Sequence, residues 1–152
     1  MDICIQEISD YKKAPMKLLL LADPSEKSVK DYLNRGKCYI AYCDENIVGV
    51  YVLIDTRPLT MELVNIAVDE KHQNNGIAKK MIKDAINRCK DKKIKVLEVG
   101  TGNSSIKQLQ LYQRCGFRIT GIDKDFFKIH YNEEIYENKI QCIDMIRLSM
   151  NM

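Results

Sequence analysis

Hydrophobic positions along the 152 residues change their spacing several times, and each change marks an element. Residues 2–8, with Ile3, Ile5 and Ile8 among polar neighbours, predict a first strand. Residues 14–21 form a short apolar segment that reads as a helix. Asp23-Pro24-Ser25-Glu26 then supplies an N-cap, a proline at the first helical position and a glutamate set for a capping box. The helix it opens should end at Arg35, with Gly36 as a left-handed terminator. Residues 37–43 and 47–55, rich in β-branched, aromatic and aliphatic side chains and separated by Asp44-Glu45-Asn46, predict a hairpin. A third strand comes next at 61–68. Over 76–91 the spacing turns helical, with Ile77, Met81, Ile82, Ala85, Ile86 and Cys89 on one face and lysines on the other. Ile94 to Val99 is nearly continuous apolar sequence, the pattern of a strand buried on both faces. Asn103 is expected to cap a helix that turns Ile106, Leu109, Tyr112 and Cys115 inward and ends at Gly116. Residues 117–122 and 142–150 read as two last strands joined by a long charged connection.

This order predicts an α/β (mixed α+β) layered fold in a single domain over 1–152, built on a mixed sheet. The consecutive strands within 37–68 exclude a doubly wound nucleotide fold. Composition narrows the partners. With 24 basic against 21 acidic residues, a net charge of +3 and no long Lys/Arg run, no nucleic-acid partner is expected. Apolar stretches such as Leu18 to Ala22 are too short to cross a bilayer, and Met1-Asp2-Ile3-Cys4 carries no basic-then-apolar leader. A cytoplasmic protein with no membrane partner is the expectation. The six cysteines form no Cys-x-x-Cys pair, and neither His72 nor His130 stands at zinc-site spacing from one, so no metal is expected. Cys4, Cys38, Cys89 and Cys115 fall on apolar faces and read as small buried hydrophobes in a reducing compartment.

Candidate chemistry begins at Gln73-Asn74-Asn75-Gly76-Ile77-Ala78, between a strand and an amphipathic helix. The first-turn amides of a helix have no intrahelical partners, and the helix dipole adds partial positive charge there. A glycine lets the backbone approach a bulky anion, and a small residue two positions later keeps the approach open. Such a loop suits a diphosphate, although a helix simply starting after a turn gives the same local pattern. It is not a P-loop, because no Gly-Lys-Ser/Thr comes after it.

Val68 to Ala78 resembles motif A of the GNAT superfamily of N-acetyltransferases, whose pattern is Gln/Arg-x-x-Gly-x-Gly/Ala. Asn103 with Leu111-Tyr112-x-x-x-Gly116-Phe117 is similar to that family's second hallmark, and the element order matches from about residue 2 to 150. The resemblance implies a largely antiparallel sheet of about seven strands, four flanking helices and a splay between strands 61–68 and 94–99. It implies acetyl-CoA as cosubstrate, with amides from Gln73 to Ala78 on the pyrophosphate and Ile66, Ala67 and Val68 bonding the pantetheine arm as an added strand would. Asn103 would also meet that arm, and Lys79, Lys80 or Lys107 the 3′-phosphate, unless they form only a solvated basic face. Tyr112 would be the general acid for the CoA thiolate. Glu62, eleven positions before Gln73, would be the general base, working through a water. The family often forms homodimers. Ala22-Asp23-Pro24 and Asp125-Phe126-Phe127…His130-Tyr131 resemble a group of small bacterial acetyltransferases, some labelled aminoglycoside acetyltransferases.

An acidic rim at Asp123, Asp125, Glu133 and Glu134 would attract a cationic amine, and His130 and Tyr131 lie in the same stretch as candidate acceptor contacts. The expected acceptor is a primary amine of a small molecule, aminoglycoside- or polyamine-like, with a protein or peptide N-terminal or lysine amine, or a regulatory module that binds acetyl-CoA without turnover, as the alternatives. Val96-Leu97-Glu98-Val99-Gly100-Thr101-Gly102 is also similar to the first motif of S-adenosylmethionine-dependent methyltransferases. Ser104 replaces the third glycine, however, and too little chain remains for that fold.

Overall fold

The computed structural model describes residues 1–152. Its strands are β1 (Ile3–Ile8), β2 (Lys37–Cys43), β3 (Asn46–Arg57), β4 (Thr60–Val68), β5 (Val96–Gly102), β6 (Arg118–Asp123), β7 (Ile135–Glu137), β8 (Ile140–Cys142) and β9 (Met145–Asn151). The α-helices are α1 (Met16–Ala22), α2 (Glu26–Arg35), α3 (Ile77–Asp91), α4 (Ile106–Arg114) and α5 (Phe126–His130). Seven strands form one sheet in the order β1-β2-β3-β4-β5-β9-β6, and β7-β8 is a separate hairpin. All neighbours in the large sheet are antiparallel except β4 and β5.

Two apolar layers hold the sheet. On one face Tyr51, Leu53, Leu63 and Ile66 pack with Met81, Ile82, Ala85 and Cys89 of α3 and with Tyr112 of α4. On the other, Val50, Val52 and Ile54 pack with Leu18 and Leu19 of α1 and Val29, Tyr32 and Leu33 of α2. Period-2 alternation along β3 serves both layers, as expected of a central strand covered on each side.

Several local expectations are corrected. The cap of α2 is Ser25, whose side chain accepts from the Ser28 N–H at 3.2 Å, while Asp23 instead accepts from the Ser25 N–H at 3.1 Å. Pro24 therefore precedes the cap. Gly36 is extended (φ −115°) rather than left-handed. A Cβ there would run into the Leu53 carbonyl and lie 2.6 Å from Ile54 Cγ2, so close passage over β3 is what requires glycine. Strand β5 starts two residues later than expected and includes Gly100-Thr101-Gly102. Only Leu97 and Val99 are deeply buried among its apolar residues, so one face is covered rather than both. Cys4 is exposed and Cys115 only partly covered, in contrast to buried Cys38 and Cys89; Ile106 is exposed too. The long charged connection contains α5 and the β7-β8 hairpin, neither of which its polar sequence announced.

Two irregularities of β4 shape its C-terminal half. Its parallel pairing with β5 stops at Leu63↔Val99, so residues 65–68 remain paired with β3 but have no partner strand on the other edge. The register against β3 also slips between Val52↔Asn65 and Leu53↔Leu63, leaving Val64 as a bulge. A bulge places two residues opposite one and reverses the facing of the residues beyond it. Met61 and Leu63 face α3, and strict alternation would send Asn65 there as well. The bulge turns Asn65 toward α1 and α2, where Glu62 also points.

Candidate active site

The open edge of β4 and the start of α3 enclose a cavity of about 500 Å³. Ile66, Ala67 and Val68 line it from the strand, and Gln73, Asn74, Gly76, Ile77, Ala78 and Lys79 from the loop and helix. Gly76 is left-handed (φ 75°, ψ 11°), and so is Asn74 (φ 66°). Lys80 N–H to the Gly76 carbonyl, at 3.1 Å, is the first helical bond of α3. The amides of Ile77, Ala78 and Lys79 therefore have no acceptor inside the helix. Loop and strand are braced by Gln73 Nε2, which donates to the Val68 carbonyl at 3.2 Å, and by Asn75 Nδ2, which donates to His72 and Gln73 carbonyls. Asn75 thus shapes the loop without lining the cavity. Uncommitted amides, a dipole end and the ammonium groups of Lys79 and Lys107, which also line the cavity, suit a phosphorylated ligand. Lys80 bonds the Met1 carbonyl instead.

A second cavity of about 440 Å³ adjoins the first, and Leu21, Ala22, Ile66 and Gln108 line both. Tyr112 lines the second and is only 3% exposed, its ring edge-on to Phe117 with centroids 5.8 Å apart. Burial pushes its hydroxyl well above the ordinary tyrosine range, so it stays protonated at neutral pH. Tyr131 lines this cavity as well; Asp125, His130 and Glu133 do not. His130 packs on the Phe126 ring, and Asp125 starts α5 with its N–H on Asp144 Oδ1 at 2.9 Å. Glu62 lines neither cavity. Its side chain is 18% exposed and lies 3.6 Å from Arg147, whose Nε bonds Asp123 Oδ2 at 2.7 Å. Burial raises the Glu62 pKa, against the pull of Arg147, and nearby Glu98 raises it further.

Asn103 does not cap α4, which begins after Ser105. Its Oδ1 accepts from Ile143 N–H at 2.8 Å and Asp144 N–H at 3.0 Å, and its Nδ2 donates to the Gln141 carbonyl at 3.1 Å. Both ends of the amide are committed to holding the segment before β9, and Asn103 lines neither cavity. Asn103→Ala should cost about 1–3 kcal/mol, the range for leaving such groups unsatisfied, measured by urea unfolding. Residues not anticipated from sequence are His72 and Gln108 beside the first cavity and Asn65 and Glu137 beside the second. Helical spacing from Tyr112 could have found Gln108 at i−4; the others have no local signal.

Comparison with known proteins places the chain in a family. The model of the acetyltransferase (GNAT) family matches residues 6–117. An uncharacterized N-acetyltransferase, YvbK, of Bacillus subtilis (strain 168) is 56% identical over 135 residues, covering 89% of this chain and 87% of that protein. The structure of an IAA acetyltransferase from Bacillus cereus superposes with a TM-score of 0.96 at 52% identity, covering 99% of this chain and all (100%) of the other. A GNAT family acetyltransferase from Elizabethkingia anophelis, solved with acetyl-CoA bound, gives 0.96 at 49% identity, covering 99% and 98%. With the family model spanning most of the chain and a relative 56% identical over 135 residues, the chain belongs to the GNAT family of acetyltransferases, which take their acetyl group from acetyl-CoA.

Proposed function

We propose that the protein acetylates a primary amine of a small molecule by direct transfer, in the cytoplasm. The observation that carries this reading is the shared wall of the two cavities, with Tyr112 on the acceptor side of it. Acetyl-CoA supplies the acetyl group as a thioester. The amides of residues 77–79 and the edge of β4 hold and orient it, and Lys79 and Lys107 offset its phosphate charge. A neutral amine nitrogen in the second cavity forms the new C–N bond as the C–S bond breaks. Its surplus proton passes through water to the Glu62 carboxylate, while the Tyr112 hydroxyl protonates the departing sulfur. Ordinary alkylammonium groups have a pKa of about 10.4, so the amine first gives one proton to solvent, and the proton that Glu62 takes is the second, released as the C–N bond forms.

Glu62 is on the same sheet face as Asn65, which lines the acceptor cavity, and its raised pKa makes it a stronger base than an exposed carboxylate. A base works deprotonated, so kcat/KM should rise with pH through the Glu62 pKa. Glu62→Gln should remove that acid limb. Arg147→Gln should move it to higher pH, because the guanidinium 3.6 Å away favours the charged carboxylate. An unchanged profile in both variants would exclude Glu62 as the base. The overall reading is tested by CoA thiol release with a panel of amines, amino acids, aminoglycosides and peptides. Release with peptides alone would overturn the small-molecule acceptor.

A further inference from the structure

The charged groups that line the second cavity are all of one sign. Asp23 and Glu137 line it, and no lysine, arginine or histidine does. Asp23 is fixed in place from three directions. Its Oδ1 accepts from the Tyr131 hydroxyl at 2.7 Å and the Ser25 N–H at 3.1 Å, and its Oδ2 from the Tyr32 hydroxyl at 3.2 Å. Tyr32 in turn accepts from Asn65 Nδ2 at 2.7 Å, and the same nitrogen donates to the Leu19 carbonyl at 3.0 Å. The side-chain bonds from Asn65 through Tyr32 therefore run toward the carboxylate. Burial, with the charge of Asp23, pushes both tyrosine hydroxyls up and keeps them donors.

This polarity leaves one group unserved. Asn65 lines the cavity, is 4% exposed, and has no donor for its Oδ1. A buried acceptor left without a donor is costly, and native proteins rarely tolerate one without a reason. Glu137, at the rim, accepts from Ser105 Oγ at 2.9 Å and is otherwise free to face a ligand. Two carboxylates and an orphan carbonyl oxygen ask for a group that only donates, and an ammonium is such a group. The amine that attacks the thioester must be neutral, so it cannot also be this ammonium. Between the polar groups, Leu63, Ile66, Phe127, Ile135 and Met145 present apolar wall.

We propose that Asp23, the Asn65 carbonyl oxygen and Glu137 bind a second, protonated amine of the acceptor, so that the substrate class is a diamine or polyamine with an apolar spacer. This deepens, and rests on, the acetyl-transfer reading above. One nitrogen remains an ammonium at Asp23 while the other loses its proton and takes the acetyl group.

Calorimetric titration of the CoA-saturated protein with putrescine, cadaverine and hexamethylenediamine tests it, each beside the monoamine and the ω-amino acid of the same length. At least one diamine should bind about tenfold or more tightly than its monoamine, as a charge-assisted contact to a partly buried carboxylate provides, and the ω-amino acids should bind worst. Asp23→Asn should erase the diamine advantage and leave acetyl-CoA affinity unchanged, since Asp23 is not part of the first cavity. Glu137→Gln, which leaves the Tyr32 and Tyr131 bonds intact, should reduce the advantage and serves if the Asp23 variant folds poorly. Diamines that bind no better than monoamines, or an advantage that survives both substitutions, would overturn the assignment while the acetyl-transfer reading stands. Failure of acetyl-CoA to bind, or of any amine to release CoA thiol, would sink that reading instead.

Discussion

Gly76→Val should weaken acetyl-CoA binding by about a hundredfold or more while the protein still folds. The reason is local. Gly76 sits at φ 75°, where a β-branched residue is a genuine outlier and an L side chain costs about 1–2 kcal/mol. Relieving that strain rotates the peptide planes that aim the first amides of α3 into the cavity. Several charge-assisted bonds weaken together, each worth about 1.5–3 kcal/mol. A Cβ at Gly76 meets no protein atom within 4 Å, so the core is untouched and the melting temperature should fall only slightly. Gly76→Asn is the matched control. Asparagine tolerates the left-handed region, as Asn74 does two residues earlier, and should retain most of the affinity. Titration calorimetry with acetyl-CoA decides the matter, and equal affinity in the valine variant would remove the loop amides from the binding account.

Tyr112→Phe should lower kcat by about two to four orders of magnitude, the range for losing a positioned general acid. The substitution keeps the ring, its edge contact with Phe117 and the buried volume, so stability should change little. Tyr112 lines the acceptor cavity rather than the cofactor cavity, so acetyl-CoA affinity should be largely retained. Its pH behaviour gives an independent readout. An acid works protonated, and burial raises this hydroxyl, so the wild-type alkaline limb should lie above the ordinary tyrosine range. Unchanged turnover with a good acceptor would strike Tyr112 from the acid role.

The donor half of the site is legible in sequence because its signal is short-range. Only eight residues, Asp69 to Gly76, join β4 to α3, and both the free amides and the need for glycine come from helix-start geometry. The α3 pattern is legible for the same reason, since Ile77, Met81, Ile82, Ala85 and Cys89 lie on one helical face and are all buried. Caps are less legible. Asn103 stands where a helix cap belongs by spacing, yet the segment before β9 lies close enough to claim its amide from forty residues away. Asp125, His130 and Glu133 are neighbours of Tyr131 in sequence but not in the site. The turn into α5 and the β7-β8 hairpin leave only Tyr131 of these facing the cavity.

By itself, then, the sequence determined the layered mixed sheet, the β4–loop–α3 unit and the position of Tyr112 on α4, because periodicity and helix starts are local. The acceptor side was decided by tertiary structure. A bulge at Val64 turns Asn65 from the α3 face to the α1–α2 face, and alternation alone would predict the opposite. Tyr131 meets Asp23 across 108 residues of chain, with Tyr32 and Asn65 completing the bond chain. Such meetings depend on how a register slips and where a distant loop returns. No property of any single segment encodes them, because they exist only when all the segments are packed together.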